Sequence, residues 1–277
     1  MSNLNFDLSV AWRIYPNISR TPLIHSNDKF KLVQTCLKSF INSTKGINVK
    51  YYFILDGCPD YYIIMLNSLI NSDHIEIIQT DNIGNEQTFK KQIEILLSQS
   101  CSDIIYFAED DYLYSPNSFH TMLSMIKESD VDFLSCYEHF DTFVHPIHSH
   151  KRLIKFHSNK FWYTDSSTCL TFLTTKYTLS KTKNIFLTYC QGNFDVSIWL
   201  MITKTFVWNP YFYLYFRFSH QNCYWLLIKT LTHGWRYLFT KSYKLWIPHS
   251  AIGTHLETKY VSPIVDWMKV SEDVHTI

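Results

Sequence analysis

The chain is poor in the residues that mark unstructured or fibrous proteins, since its 277 residues include only 6 Gly and 8 Pro. Disordered, collagen-like and low-complexity classes are therefore excluded. An excess of one charge is also missing, because 25 Lys and Arg face 24 Asp and Glu and leave a formal net charge of +1. Nucleic-acid-binding proteins usually show a basic excess, so we predict no nucleic-acid partner. Hydrophobic residues make up 46% of the chain, enough for the core of one large domain.

Three further absences narrow the class of protein. The seven cysteines are widely spread and include no CxxC pair, which argues against a zinc module or a disulfide scaffold. The chain has no run of about 18 apolar residues, and its start lacks the layout of a signal peptide. We therefore expect a cytoplasmic protein, with peripheral contact at the inner face of a membrane left open. No GxSxG, GxxxxGK[ST] or GxGxxG motif occurs, which gives little support to a hydrolase, a P-loop protein or a dinucleotide-binding enzyme.

The first part of the chain alternates between strand-like and helix-like segments. Short apolar runs predict strands at Leu8–Ile14, Val49–Leu55, Ile75–Gln79 and Ser102–Ala108. Helical spacing of apolar residues predicts helices after Asn27 or Asp28, over Tyr61–Ile70, and from Gly84 onward. Strands separated by helices imply βαβ units, so we predict one continuous α/β domain with a mostly parallel sheet. Its two halves are expected to be 1–130 and 131–277.

Polar residues follow three of the predicted strands. Arg13 lies at the end of the first, Asp56 ends the second, and the acidic triplet Glu109-Asp110-Asp111 ends the fourth. Ligands of open α/β sheets gather beyond the carboxyl ends of the strands, so we expect these side chains to converge. Three adjacent acids repel one another unless a cation lies nearby, and Mg²⁺ or Mn²⁺ prefers carboxylate oxygens and phosphates. The alternative for the triplet is a solvated turn before the helix that Ser115-Pro116 begins.

The segment IIYFAEDDYLYSPNSF resembles the DxD-type motif of GT-A glycosyltransferases, in which some N-acetylglucosaminyltransferases carry the triplet as EDD. The resemblance, which is to family 2-like members, implies one GT-A (Rossmann-like) domain with helices on both faces of its sheet. It also implies a Mn²⁺ or Mg²⁺ cofactor and a nucleotide-sugar donor, with a UDP-sugar favoured. By the same resemblance Asp111 would bind the metal, and Glu109 and Asp110 would hold the ribose, the sugar or metal-bound water.

Further donor-binding residues follow from the same resemblance. Asp56 looks like the acid that reads the base or the ribose, and Arg13 lies where the first strand meets the nucleotide. The Gly84-Asn85 turn before a helix resembles the third nucleotide-facing loop. The half 1–130 is thus expected to bind the nucleotide-sugar, and the half 131–277 to bind the acceptor.

A catalytic base is expected in CQGNFDVSIWLMI, where Asp195 precedes an apolar helix-like run. It resembles the acid of the family's "ED" element, and transfer to a sugar hydroxyl needs a carboxylate within reach of the acceptor oxygen. The alternative is an N-cap, which Asp favours for helix stability alone. Asp165 is the reserve candidate, and Glu138 and Asp141 are further options that would touch the acceptor.

Two late histidines are candidate metal ligands, because imidazole is a suitable partner for Mn²⁺ beside carboxylates. We prefer His255 to His249, since His255 follows a Gly-Thr turn that allows the loop to fold back over the nucleotide; a surface histidine is the alternative for each. The cluster HPIHSH, which holds His145, His148 and His150, is better explained as a polar loop than as a zinc site.

The stretch 199–247 contains six Lys and Arg, many aromatic residues and no acid. Three interpretations remain open: core helices with basic outer faces, a surface that contacts an anionic membrane, and aromatic stacking on sugar rings. A membrane surface would suit a lipid-linked acceptor.

Together with the resemblance, these features predict a metal-dependent hexosyl- or N-acetylhexosaminyltransferase that moves a sugar to a glycan or lipid-linked glycan acceptor in polysaccharide biosynthesis. Inversion is implied by the resemblance alone. One rival is a sugar-nucleotide nucleotidyltransferase, which the absence of Gly from AWRIYPNISRTP disfavours. The other is a glycan-binding or scaffold protein that kept the fold and lost catalysis.

Overall fold

The structure is a computed structural model that describes residues 5–18 and 20–275. Its strands are β1 (Leu8–Ile14), β2 (Val49–Asp56), β3 (Ile75–Thr80), β4 (Ile104–Glu109), β5 (Tyr112–Tyr114), β6 (Phe133–Leu134), β7 (Ile154–His157), β8 (Lys160–Asp165), β9 (Phe172–Thr175), β10 (Leu245–His249) and β11 (Gly253–His255). Its α-helices are α1 (Lys29–Ser43), α2 (Tyr61–Leu69), α3 (Gly84–Ser98), α4 (Ser118–Met125), α5 (Asp141–Val144), α6 (Lys176–Phe186), α7 (Asp195–Thr203), α8 (Pro210–Ser219), α9 (Gln221–Gly234) and α10 (Trp267–His275).

Nine of these strands form one sheet in the order β3-β2-β1-β4-β9-β6-β10-β8-β7. Neighbours β3, β2, β1 and β4 are all parallel. Only β9 and β8, among the described strands of this sheet, run against the common direction. The predicted α/β class with a mostly parallel sheet is therefore confirmed. Because β4 pairs with β9, the sheet crosses the predicted boundary between 130 and 131.

Successive side chains of the strands point to opposite faces of the sheet and pack into two separate cores. On β1, Val10 and Trp12 join the cluster that α1, α2, α4 and α10 cover. Ala11, between them, joins the second cluster, which α3, α6 and α7 cover. The predicted helices on both faces are confirmed, and the buried faces explain why the strand sequences read as continuous apolar runs.

The helix and strand positions of the first hundred or so residues agree with the periodicity of the sequence. Strand β1 has the predicted bounds, and α1 begins directly after Asp28, whose carboxylate accepts a hydrogen bond from the Lys31 amide at 2.9 Å. This is the predicted N-cap, which satisfies an amide that the first turn leaves open.

A small second sheet positions the C-terminal part of the chain. Strand β11 pairs antiparallel with β5, and the register sets His255 opposite Tyr112, the residue after Asp111. The late histidine is thereby brought beside the acidic triplet, although 144 positions separate it from Asp111.

Strands β1 and β4 are also linked by a buried side chain. Gln92, on α3, is fully buried, and its amide donates hydrogen bonds to the Ala11 carbonyl at 2.7 Å and the Ala108 carbonyl at 3.0 Å. These strands carry Arg13 and Glu109 at their ends, so Gln92 supports the part of the sheet that bears the site.

We predict that Gln92→Ala lowers the free energy of unfolding by about 1–3 kcal/mol, because it removes a buried donor from two carbonyl groups. Gln87→Ala, an exposed glutamine in the same helix, is the matched control and should change stability by less than about 0.5 kcal/mol. Urea denaturation measures both. Equal losses in the two variants would contradict the structural role of Gln92.

Candidate active site

A cleft of about 390 Å³ lies at the carboxyl ends of the parallel strands. Seven of the nine predicted site residues line it: Arg13, Asp56, Gly84, Asn85, Glu109, Asp110 and Asp111. His255 adjoins it through its contact with Asp111, whereas Asp195 is not part of its lining. The expected convergence of the strand ends is therefore present.

Arg13 joins two sides of the cleft. Its guanidinium donates to the backbone oxygen of Asn85 at 3.1 Å, to the Asn85 side chain, and to Glu109 in a salt bridge. The other Glu109 oxygen accepts from the Thr171 hydroxyl at 2.6 Å. Burial disfavours the charge of Arg13, but the attraction of Glu109 outweighs it and raises the pKa of Arg13. The guanidinium is thus a fixed cation at the cleft.

Asp110 has a different partner. Its carboxylate accepts from the Lys29 ammonium at 2.7 Å and from the Tyr15 amide at 2.8 Å. Burial, together with the neighbouring Asp111 charge, raises the pKa of Asp110 against the opposing effect of Lys29. Lys29 is itself buried, and its attraction to Asp110 and Asp111 raises its pKa despite that burial. A second fixed cation therefore lies beside the triplet.

Asp111 pairs with the late histidine. His255 Nε2 lies 3.0 Å from Asp111 Oδ2, while Asp111 Oδ1 is buried and has no hydrogen-bond partner among the described residues. Burial alone would raise the pKa of Asp111, but the positive charges of His255, Lys29 and Arg13 lower it to about 2. In return, Asp111 raises the pKa of His255 to about 9 in spite of burial.

The described residues contain no group of three or more His, Cys, Asp or Glu side chains that could hold a metal ion. Magnesium-type cations, however, commonly take one or two protein carboxylates and complete their shell with substrate phosphates and water. The unpartnered, buried oxygen of Asp111 fits such a cation, and His255 Nε2 would join it as a ligand only by giving up the proton that its raised pKa retains at neutral pH. The side chains of Asp111 and His255 are therefore compatible with a metal site, and their metal-binding roles stay predictions.

Asp56 organises the loop that leads into α3. Its carboxylate accepts from the Thr80 hydroxyl at 2.9 Å and from the amides of Ile83 at 2.8 Å and Gly84 at 2.9 Å. Gly84 has a φ of +83°, a conformation that other residues adopt only with strain. Two amide hydrogen bonds thus tie the turn at Gly84 to Asp56, and the Thr80 hydroxyl ties the same carboxylate to the end of β3.

Asp195 is the first residue of α7, and Phe194 occupies the cap position. The Asp195 carboxylate accepts from the Val196 amide at 2.7 Å and does not cap the helix, so the N-cap alternative is wrong. The side chain is partly exposed, yet surrounding protein displaces much of its water and raises its pKa, as does the charge of Glu109. Asp195 therefore lies within electrostatic range of the triplet, beside the cleft.

The other acids considered as bases or acceptor contacts have partners of their own. The Asp165 side chain is fully buried, 2.6 Å from His148 Nδ1 and 3.7 Å from Arg152. Glu138 is also fully buried and accepts from the Tyr163 hydroxyl at 2.8 Å. Neither carboxylate can touch an external hydroxyl in this arrangement.

The remaining acid and the alternative histidine lie apart from the triplet's contacts. Asp141 is partly exposed and 3.6 Å from His139. His249, the alternative metal ligand, pairs with Glu138 at 2.8 Å. The contact of His255 with Asp111 therefore favours His255.

Three contacts of the site are absent from the sequence analysis: those of Lys29, Thr171 and Tyr189. Lys29 is the first residue of α1, where a lysine is ordinarily solvated, so no local signal marks it. The Tyr189 hydroxyl lies 2.7 Å from Asn85 Nδ2 across 104 positions of sequence. Such pairs follow from the tertiary fold and not from any short motif.

We predict that Lys29→Met lowers the free energy of unfolding by about 3–5 kcal/mol, because it leaves the buried charge of Asp110 without its cation. Adding Asp110→Asn should recover most of that loss, since it removes the unpaired charge. A double-mutant cycle by chemical denaturation measures the coupling. Lys31→Met, an exposed lysine of the same helix, is the control and should be nearly neutral; no coupling between Lys29 and Asp110 would contradict the pairing.

No protein-family model and no curated protein matches the chain. Solved structures similar to it include a putative nucleotide-diphospho-sugar transferase from Desulfovibrio desulfuricans, at 11% identity and a TM-score of 0.45 over 84% of this chain and 98% of that one. The galactosyltransferase LgtC matches at 8% identity and a TM-score of 0.43, over 67% of this chain and 65% of LgtC. A cytidylyltransferase from Leptospira borgpetersenii matches at 10% identity and a TM-score of 0.36, over 64% and 63%.

The aligned part spans less than two thirds of LgtC and of the cytidylyltransferase. By name, these neighbours belong to both enzyme classes that the sequence analysis considers, glycosyltransferases and nucleotidyltransferases. At such identities and TM-scores they do not decide between the two. The side chains of the cleft are what distinguishes the functions.

Proposed function

We propose that the protein is a GT-A-type glycosyltransferase that uses a nucleotide-sugar donor. The observation that carries the proposal is the division of the acidic triplet: Glu109 and Asp110 are each paired with a buried cation, while Asp111 keeps one buried oxygen without a partner. A solvated turn would not bury its acids among cations. A site for a metal-bound diphosphate needs both an open carboxylate oxygen and nearby positive charge.

Asp111 and His255 would hold Mn²⁺ or Mg²⁺ in this proposal. When bound, the cation would neutralise charge on the donor diphosphate, a Lewis-acid role. Arg13 and Lys29 would bind the same diphosphate from the other sides of the cleft, and both remain charged at neutral pH because their pKa values are raised.

The half 1–130 would bind the nucleotide-sugar. Gly84 and Asn85 line the cleft, and the Gly84 amide donates to Asp56. Asp56, which lines the cleft as well, would contact the base or the ribose of the donor. Glu109 and Asp110 would contact the ribose, the sugar or metal-bound water. We favour a UDP-sugar as donor, on the family resemblance alone.

The acceptor, a glycan or lipid-linked glycan, would bind to the half 131–277. In an inverting displacement the acceptor oxygen attacks the anomeric carbon, and the bond from that carbon to the diphosphate oxygen breaks with its electron pair leaving on the diphosphate. Asp195 would take the acceptor proton. Its raised pKa makes it a stronger base than an ordinary aspartate.

The nucleotidyltransferase alternative would need a flexible Gly-rich loop after β1. Here that segment is Tyr15-Pro16-Asn17, and the Tyr15 amide is committed to Asp110. A scaffold protein would not need Arg13 and Lys29 gathered beside an unpartnered Asp111 oxygen. The transferase is therefore the better explanation of these contacts.

We predict that a UDP-sugar with Mn²⁺, held at about 100 times its dissociation constant, adds about 2.7 kcal/mol to the free energy of unfolding. Thermal-shift measurements with UDP-, GDP-, TDP- and CMP-sugars, with and without Mn²⁺, identify the donor. Asp111→Asn should lose the metal-dependent part of the shift. Asp60→Asn should keep it, because Asp60 is an exposed acid at the start of α2 whose side chain makes no capping hydrogen bond.

Other outcomes of that panel point to the rivals. No shift with any nucleotide-sugar would favour the scaffold protein. Formation of a nucleotide-sugar from a nucleoside triphosphate and a sugar phosphate would identify a nucleotidyltransferase.

We predict that Asp195→Asn lowers kcat by about 10²–10⁴-fold, while the donor-induced thermal shift is unchanged. The base acts in its deprotonated form, so wild-type kcat/KM should fall as the pH falls through the raised pKa of Asp195, above the usual carboxyl value of 3.8. The variant should lack this acidic limb. Asp103→Asn, an exposed acid, is the control, and full activity of Asp195→Asn would remove the residue from the mechanism.

A further inference from the structure

Helix α8 presents apolar side chains to solvent along one face. Tyr211, Leu214, Tyr215 and Phe218 recur at the i, i+3, i+4, i+7 spacing of a single helical stripe, and they are 63%, 60%, 38% and 82% exposed. We call these four residues the α8 stripe. Contiguous exposed apolar surface of this kind marks an interaction site more often than a scattered residue does.

The stripe is not needed to hold the helix in place. The inner face of α8 buries Phe216 completely and packs Phe212 against Phe206, with ring centroids 4.3 Å apart. Phe216 joins a small core with Leu200 of α7 and Leu227 of α9. The fold therefore uses one face of α8. Within the stripe, Tyr215 contacts His220 just beyond the end of the helix, while Tyr211, Leu214 and Phe218 are each at least 60% exposed.

Other exposed aromatic residues lie near α8 in the sequence. Trp208, three residues before the stripe begins, is 54% exposed. The centroid of its ring lies 5.4 Å from that of Phe239, which is 91% exposed. Trp235 is also largely exposed and lies beside Arg236. Amphipathic aromatic rings of this kind are enriched where protein meets the headgroup region of a bilayer.

The charge of this part of the chain is one-sided. The stretch 199–247 holds six of the 25 cations and none of the 24 acids. Arg217, Lys229 and Arg236 form no salt bridge with any residue in the described part of the chain, and Arg217 lies on α8 itself. Arg217, an exposed cation on the same helix as the stripe, complements an anionic lipid surface.

We propose that the α8 stripe is a membrane-docking surface that lies in the headgroup region of an anionic bilayer. Arg217 and Arg236 would contact lipid phosphates, and the apolar side chains of the stripe would lie just below the headgroups. No helix in the described residues is long and apolar enough to cross a bilayer, so the contact is peripheral. The proposal goes beyond the transferase function and does not depend on it.

The test is co-sedimentation of the full chain with vesicles. Wild type should bind vesicles of phosphatidylcholine with about 30% phosphatidylglycerol at least about tenfold more tightly than vesicles of phosphatidylcholine alone. Leu214→Ser with Phe218→Ser should weaken binding by about tenfold or more. Ile64→Ser with Tyr177→Ser removes two side chains of similar exposure from α2 and α6, and this control should bind as wild type does.

Charge is tested separately. Arg217→Glu with Arg236→Glu should abolish the preference for the anionic vesicles, and raising the salt from about 0.1 to about 0.5 M should weaken wild-type binding to them. Hydrogen exchange of the wild-type chain adds a readout that needs no variant: anionic vesicles should protect 210–219 and leave 61–69 unchanged.

Three results would overturn the proposal. Wild type does not bind anionic vesicles; or the stripe variant binds as well as the control; or the stripe variant loses a wild-type dimer, seen by sedimentation, in a chain that does not bind vesicles. The last result would assign the stripe to a second copy of this chain.

Discussion

The separation of three adjacent carboxylates is the constraint on which the site depends. Glu109, Asp110 and Asp111 follow one another at the end of β4, and their mutual repulsion would be costly in a partly buried cleft. The fold gives each acid its own cation: Arg13 for Glu109, Lys29 for Asp110 and His255 for Asp111. These cations come from β1, α1 and β11, so the same contacts fix the relative positions of three distant parts of the chain.

Buried ion pairs of this kind do not by themselves account for a stable protein. The desolvation of two charges offsets most of their attraction, and a well-packed apolar pair often serves stability equally well. The cleft keeps the triplet together with Arg13 and Lys29, although neighbouring side chains such as Trp12 and Tyr112 are buried and mostly apolar. Because burying these charges costs desolvation free energy, their presence beside an unpartnered Asp111 oxygen indicates a site that is organised for a charged ligand.

Sequence reasoning reaches the parts of this architecture that local pattern determines. Apolar runs and an N-cap at Asp28 locate β1 and α1, and the α/β topology then requires Arg13, Asp56 and Glu109 to meet at one edge. It fails where a side chain's environment is set by tertiary packing. No local sequence pattern distinguishes the buried Lys29 from an exposed lysine. Likewise, the sequence around Asp165 does not predict its contacts with His148 and Arg152. The second half is harder for the same reason, because its short antiparallel strands pair across long separations.

The candidate base and the α8 stripe belong to one packed unit. Asp195 begins α7, which packs against α9, and α9 in turn supports α8 through Leu227 and Phe216. Helix α9 also contacts the residue before Asp195, because the Lys229 ammonium lies 3.3 Å from the ring centroid of Phe194. Docking of α8 on a bilayer would therefore fix α7 relative to the membrane, and with it the Asp195 carboxylate that we propose as the base. A lipid-linked acceptor would gain from that rigidity, because its reactive hydroxyl and Asp195 would be held relative to the same surface.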